Sequence, residues 1–301
     1  MASGKVPRAI VVTRPSEYAA LLGRHGTRAQ AAFHLERRGQ SLAELDRRHA
    51  RLEAALLAVS RAIPAEWRRH RLDRADLARF VFEPDDLVLA VGQDGLVANA
   101  AKHLRGQPVL GVNPDPEGID GVLVRHRPER VAALLRAAAA GRAEVEARTM
   151  AEARLDDGQR LLALNELFAG HRSHQSARYR LAVGGREERQ SSSGVIVSTG
   201  TGATGWARSI NQERRSPLAL PGPTEPALAF FVREPFPSAA TGTAIDGARL
   251  EEGERLTLTS EMSEGGVLFG DGIESDRLDL GWGTRAEIGP AAERLRLVVG
   301  A

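Results

Sequence analysis

Ser192-Ser193-Gly194-Val195-Ile196-Val197-Ser198-Thr199-Gly200-Thr201-Gly202-Ala203-Thr204-Gly205-Trp206 opens as a buried strand and breaks into a glycine loop. The apolar run Val195–Val197 is rich in β-branched residues and short enough to be a core strand. Glycines then alternate with hydroxyl residues. Without a Cβ, such a turn can bring bare backbone N–H groups against a ligand, and the threonine hydroxyls add donors and acceptors. Trp206 offers a flat face on which a base could stack. A Gly/Thr-rich surface turn with no ligand is an equally good reading of these residues taken alone.

A second glycine turn lies upstream. Asp86-Leu-Val-Leu-Ala-Val91 reads as a buried parallel strand, Gly92-Gln93-Asp94-Gly95 as a turn, and Leu96 to about Leu104 as a helix. Strand, glycine turn and helix place backbone N–H groups and a helix N-terminus at one spot, and both favour phosphate. The turn exposes Asp94 at the carboxyl end of a strand, where open α/β sheets bind ligands. The alternative is a plain βα turn in which Asp94 caps the helix. The next strand, Gln107–Val112, ends in Asn113-Pro114-Asp115-Pro116, whose Asn and Asp also suit a simple turn.

Around these turns the chain changes texture. Arg8–Thr13 reads as a first parallel strand, and Tyr18–Phe33 as an irregular helical stretch broken near His25-Gly26-Thr27. Ser41-Leu-Ala-Glu44 fits a capping box for a helix ended by Pro64. His49 lies on the apolar stripe of that helix, which fits a packed histidine better than a metal ligand. Pro128–Ala140 is helical, and from Ala143 onward short alternating runs and glycine turns replace helices. The expected fold is therefore α/β: an N-terminal parallel-sheet nucleotide-binding domain over residues 1–126, then a β-rich, sandwich-like domain over residues 127–301.

Composition narrows the function. The chain has 301 residues, 42% of them hydrophobic, enough for two cores. The net charge is +2, from 41 basic and 39 acidic residues, and Arg is interleaved with Asp and Glu, which disfavours nucleic acid as a partner. The basic run Arg68–Arg74 reads either as an anion patch or as a solvated edge strand diluted by Glu66, Asp73 and Asp76. The absence of cysteine excludes disulfides, thiolate catalysis and Cys-bound zinc. No apolar run reaches membrane-spanning length and no signal-peptide core is present, so the expected location is the cytoplasm, away from membranes.

The ordered set then resembles a known family. Gly92-Gln93-Asp94-Gly95 looks like the GGDG motif of the NAD kinases, Asn165-Glu166 matches their NE motif, and Ser198–Trp206 is similar to their STPTGSTAY loop. The late Asp271-Gly272 corresponds to their final DG turn. The Asn113–Pro116 turn, the Ser-Ser-Gly opening and Arg233-Glu234-Pro235 resemble the mitochondrial-type branch in particular. The resemblance spans residues 8 to 299 and implies transfer of the terminal phosphate of ATP, or of polyphosphate, to the 2′-hydroxyl of the adenosine ribose of NAD, giving NADP. It assigns Asp94 as the base and Gly92, Gln93 and Gly95 to the transferred phosphate, with Asn113 beside them. Asn165 and Glu166 would hold ribose or adenine. Thr199, Thr201, Thr204 and Gly205 would hold the adenine, Trp206 would stack on it, and Ser193 stands where an acidic residue often contacts the ligand. Mg²⁺ is implied by the triphosphate, not by any ligand cluster of the chain. A homo-oligomer is implied too. Gln93 and Leu96 depart from the family pattern and leave open a non-catalytic NAD(P)(H)-binding protein of the same fold. A lipid-type kinase shares only the glycine-Asp-glycine turn, and no G-x-G-x-x-G follows the first strand to suggest a dehydrogenase.

Overall fold

The computed structural model describes residues 6–301, which divide into two units: the first holds residues 6–146 and Arg296–Ala301, the second Ala147–Leu295. The sequence boundary at residue 126 thus moves to Glu146, and the last residues return to the first unit. Helix Val131–Ala139 explains the difference, because Val131, Leu134 and Leu135 are buried in the first unit's core. Residues 1–5 of the expected first domain lie outside the described residues.

The first unit runs β1 (Arg8–Thr13), α1 (Glu17–His25), α2 (Arg28–Glu36), α3 (Leu42–Ala62), β2 (Arg68–Asp73), β3 (Asp86–Val91), α4 (Asp94–Ala101), β4 (Pro108–Val112), α5 (Val131–Ala139) and the start of β5 (Glu144–Leu155). Its strands pair in parallel in the order β2-β1-β3-β4, and the chain's final strand, Arg285–Gly300, pairs beside β4 through Arg296 and Leu297. Continuous apolar strands such as Leu87–Val91 must be covered on both faces. One face carries α3 and α5, which join Ala9, Val11, Leu87 and Leu89 in one core. Ile10, Val88 and Ala90 point the other way and are equally buried, and α4 packs against β1, β3 and β4. Ser41 caps α3 by accepting from the Ala43 N–H, whereas Glu44 turns to Arg48 and leaves the expected capping box half made. Strand β2 is an edge, and its arginines are drawn into pairs, Arg68 with Glu83 and Arg71 with Glu53. A charged edge resists pairing with another chain, so Arg68–Asp73 is the solvated edge strand, and Arg74 lies beyond it.

The second unit continues with β6 (Arg160–Ala163), β7 (Glu166–His171), β8 (Ala177–Val183), β9 (Arg186–Ser192), β10 (Val195–Thr199), α6 (Trp206–Glu213), β11 (Leu228–Val232), β12 (Gly247–Leu250), β13 (Leu256–Ser260), β14 (Gly266–Gly270), β15 (Leu278–Asp279) and β16 (Arg285–Gly300). A six-stranded sheet has the order β12-β11-β10-β7-β14-β15, and its neighbouring strands pair antiparallel. Facing it, β9-β8-β13-β16 pair antiparallel, and β5 pairs β6. Tyr179, Leu181, Leu258 and Ile288 from one layer meet Val195, Val197, Phe230 and Leu268 from the other in one core, which makes the unit the expected sandwich. Gly184 and Gly185, both at positive φ, close the β8–β9 hairpin with a two-residue turn that suits strand twist. The outer face of the six-stranded sheet is covered by α6 through Ala207 and Ile210. That helix interrupts a region where the sequence shows only strands.

Candidate functional site

In the first unit the glycine turn is built as the spacing requires, with one change in the role of its carboxylate. Helix α4 begins at Asp94, one residue after Gln93, and Gln93 offers no side-chain cap. Asp94 does not cap the helix either. Its Oδ1 accepts from the N–H groups of Leu123 (2.8 Å) and Val124 (2.9 Å), and its Oδ2 from that of Val122 (2.9 Å). The carboxylate is thereby fixed at the carboxyl end of β3, and Oδ2 keeps a lone pair free. Residues 122–124 can approach because Gly111 lies beneath them: a Cβ there would sit 2.0 Å from the Leu123 carbonyl oxygen. Gly92 donates its N–H to the Val112 carbonyl at 3.0 Å, tying the turn to the end of β4. Gly95 faces open space on its Cβ side.

Asn113 is buried and fully used inside its own loop. Its Nδ2 donates to the Ile119 carbonyl (2.8 Å) and its Oδ1 accepts from the Asp115 N–H (2.9 Å). It holds the Pro114–Ile119 loop in place and leaves Asp115 to pair with Arg51 at 2.6 Å. The Gln93 side chain is held by Arg14, whose Nη2 donates to Oε1 at 2.6 Å. Beside them opens a cavity of about 590 Å³ whose lining includes Arg14, Arg48, Arg74, Gly92, Gln93 and Leu52. Glu17, Asp73 and Asp115 also line it, with apolar Leu45 and Ile119, so the arginines offer phosphate donors in a mixed lining.

The second unit gathers three of the sequence motifs. Asn165 lies between β6 and β7, and Glu166 opens β7. Asp271, at φ 55°, accepts from the backbone N–H groups of Leu164 (3.1 Å) and Asn165 (2.7 Å), so the late Asp-Gly turn fixes the Asn-Glu turn. The Thr199 N–H donates to the Asn165 carbonyl at 2.9 Å. Among the described residues the Asn165 side-chain amide makes no hydrogen bond, so it is available to a ligand. Burial, and then the charge of Asp271, pushes the Glu166 carboxyl up to about 7.

The threonine loop divides into a frame and a rim. Thr199 is wholly buried; its hydroxyl donates to the Leu164 carbonyl and accepts from the N–H groups of Thr201 and Gly202. Thr201 is buried, with its hydroxyl 3.4 Å from Arg148 Nη1. Thr204 and Gly205 are exposed. Two of the loop's glycines serve the chain itself, against the sequence expectation of space left for a ligand. A Cβ at Gly200 would lie 1.9 Å from the Gly222 oxygen, and one at Gly202 would lie 2.2 Å from the Asn165 oxygen.

Trp206 begins α6 and is 39% exposed. Its indole stacks on Phe168 with centroids 6.1 Å apart, and the Arg233 guanidinium lies over it at 4.9 Å. A base stacking on that covered face would have to displace Arg233. Ser193 is exposed beside it, and both line a cavity of about 420 Å³ with His171, Arg172, Arg233 and Phe269. The sequence reading assigned none of these four to the site; they come from the end of β7, the residues just after β7 and β11, and β14, and share no local pattern. Among the described residues no group of three or more Asp, Glu, His or Cys side chains converges as a metal site.

Known proteins share this two-unit architecture. The structure of yeast NADH kinase complexed with NADH superposes with a TM-score of 0.63 at 14% identity, covering 99% of this chain and 85% of that one. An NAD kinase from Archaeoglobus fulgidus in complex with ATP gives 0.58 at 19% identity, covering 98% and 94%. In sequence, an NAD kinase of Psychrobacter arcticus is 35% identical over 133 residues, 41% of this chain and 40% of the relative. The mitochondrial NAD kinase 2 of Rattus norvegicus is 29% identical over 229 residues, 50% of this chain and 54% of the relative. An NAD kinase of Brucella melitensis is 28% identical, covering 54% and 62%. The chain thus spans 40–62% of the length of these three relatives. No protein-family model matches it. The chain is thus similar to NAD kinases over part of its sequence and shares their fold.

Proposed function

We propose that this protein transfers the terminal phosphoryl group of ATP to the 2′-hydroxyl of the adenosine ribose of NAD. The observation that carries this reading is the seat of Asp94: first residue of α4, fixed by three backbone N–H groups, next to an arginine-lined cavity. In the step itself the 2′-oxygen attacks the γ-phosphorus. The new O–P bond forms as the bond to the β,γ-bridging oxygen breaks, ADP leaves, and the hydroxyl proton passes to Asp94 Oδ2. Arg14 and the N-terminus of α4 would offset the charge on the phosphates. Mg²⁺ would arrive on the triphosphate and neutralise part of its charge.

Asn165 and Glu166 would hold ribose hydroxyls, Glu166 donating a hydrogen bond when protonated and accepting one when ionised. Thr204, Gly205 and Trp206 would meet the adenine, with Thr199 and Thr201 as the frame behind them. A homo-oligomer and a cytoplasmic location belong to the same proposal. Light scattering of the purified chain tests the oligomer, which a monomeric mass would refute. Among the described residues no helix is long and apolar enough to cross a membrane.

The deciding experiment is a matrix of donors (ATP, other nucleoside triphosphates, polyphosphate) against acceptors (NAD, NADH) with Mg²⁺, read as NADP or NADPH. The expected result is NADP from ATP and NAD. A folded protein that binds NAD yet makes no product with any donor would be a binding protein of the same fold, and the kinase reading would be wrong.

A further inference from the structure

The stretch Arg24–Arg38 contains four arginines and one acidic residue, Glu36, a net charge of +3 against +2 for the whole chain. Arg68–Arg74 carries the same net charge, so what sets this stretch apart is how its cations are placed. On the neighbouring helix α3, Arg48 pairs with Glu44 and Arg51 with Asp115. Within the hairpin Arg28 pairs with Asp46, but among the described residues Arg24, Arg37 and Arg38 form no ion pair.

These three surround a cavity of about 810 Å³ together with His25, Gln30, Phe33 and His34. The two imidazoles pack at 4.3 Å between centroids. Arg38 Nη1 lies 3.0 Å from His34 Nδ1, so His34 is a neutral acceptor there and carries its proton on Nε2. Burial, followed by Arg38, His25 and Arg24, lowers the His34 pKa, the response of an imidazole in a cationic enclosure without a counter-ion. His25 Nε2 is buried and has no hydrogen-bond partner. Phe33 stands 62% exposed under the Arg37 guanidinium, 5.6 Å from it. Cations at the ends of α1 and α2 complement the helix dipoles, but one per helix end suffices for that. Three unpaired guanidinium groups and an unpartnered imidazole nitrogen around one cavity call for an anion of more than one charge.

We propose that the α1–α2 hairpin binds a polyphosphate group, as free inorganic polyphosphate or as the phosphate chain of a nucleotide, at a site independent of the glycine turn. Arg24, Arg37 and Arg38 supply forked donors to phosphate oxygens, and His25 adds a ring N–H. If a nucleotide is the source, its base has Phe33 to lie on.

The test uses the full chain with ¹³C-labelled histidine, followed by NMR while sodium tripolyphosphate or Mg-free ATP is added at constant ionic strength. Signals of His25 and His34 report this site alone, whatever binds elsewhere. The expected result is saturable shifts of both rings, weakened at least tenfold in Arg37→Glu/Arg38→Glu. Both side chains are exposed, and Arg37→Gln/Arg38→Gln serves if charge reversal disturbs the fold. Tighter binding of ATP than of tripolyphosphate identifies a nucleotide, and equal binding identifies the phosphate chain alone; either supports the site. Shifts that sodium chloride reproduces, or that survive the substitutions unchanged, overturn it. The measurement repeats in Asp94→Asn, so failure of the kinase reading leaves this one standing.

Discussion

Asp94 combines two duties that pull apart under substitution. Asn at this position keeps an acceptor for Leu123 and Val124 but turns an amide N–H₂ toward the Val122 N–H, and it cannot take a proton. Asp94→Asn should lose about 10²–10⁴-fold in NADP formation with NAD affinity little changed, measured by initial rates beside calorimetry. Lost NAD binding would instead make the residue a scaffold only. Glu166 makes a second prediction at this scale. Its carboxyl is raised from 4.5 to about 7, so the folded protein holds a proton that the unfolded chain gives up. The resulting stability is complete below pH about 4.5 and disappears as pH rises through about 7. A displacement of this size corresponds to roughly 3 kcal/mol. Urea unfolding midpoints should therefore fall between pH 5 and 8 in the native chain and change much less in Glu166→Gln; parallel curves would refute the assignment. Asp94 and Glu166 were both legible in the sequence as candidates, because glycine and strand-end patterns mark their turns. Their states were not, since these depend on the N–H groups of residues 122–124 and on Asp271, distant in the chain. The same holds for charge: the basic run at 68–74 stands out in the sequence, yet it is the stretch whose partners, Glu83 and Glu53, fold back onto it.

At the scale of the element, glycine has opposite meanings in the two turns. Gly200 is needed because the backbone of Gly222 passes where a Cβ would go, at 1.9 Å. Gly200→Ala should cost about 2–3 kcal/mol, seen as a lower melting temperature together with lost NAD binding. Gly95 lies in the first turn of α4 with nothing within 4 Å of its Cβ position. Gly95→Ala should leave stability unchanged or raise it by up to about 1 kcal/mol. If activity nonetheless falls while the melting temperature does not, a phosphate occupies that open space; equal activity would remove Gly95 from the site. Long, strongly patterned elements such as α3 and β3 could be read directly. Helix α6 could not: it has eight residues, follows Gly205, and makes no side-chain cap hydrogen bond. Its helical state is set by Ala207 and Ile210 packing on β10 and β11, which local sequence does not encode.

For the molecule as a whole, the least legible feature is where the chain ends its second unit. Two short apolar runs, Ala286–Ile288 and Leu295–Val299, belong to one long strand, β16, whose early residues pair with β13 and whose last residues pair with β4 in parallel. A continuous strand that serves two cores in succession has no turn signal to betray the change. Leu297 and Val298 are fully buried, and the Val298 carbonyl accepts from His126 Nε2 at 2.8 Å. The parallel sheet of the first unit is therefore completed only when residues 296–300 have been made. Deleting Arg296–Ala301 would uncover the edge of β4, strip two buried side chains worth about 1.5–3 kcal/mol each, and leave the His126 ring without its acceptor. Such a chain should lose several kcal/mol from the first unit while the core around Tyr179 and Phe230, which contains none of the deleted residues, keeps its order. Hydrogen exchange read by mass spectrometry separates the outcomes: faster exchange confined to β1, β3 and β4 is expected, whereas equal protection of those strands in the full and shortened chains would mean that residues 296–301 are an appendage to a sheet already complete.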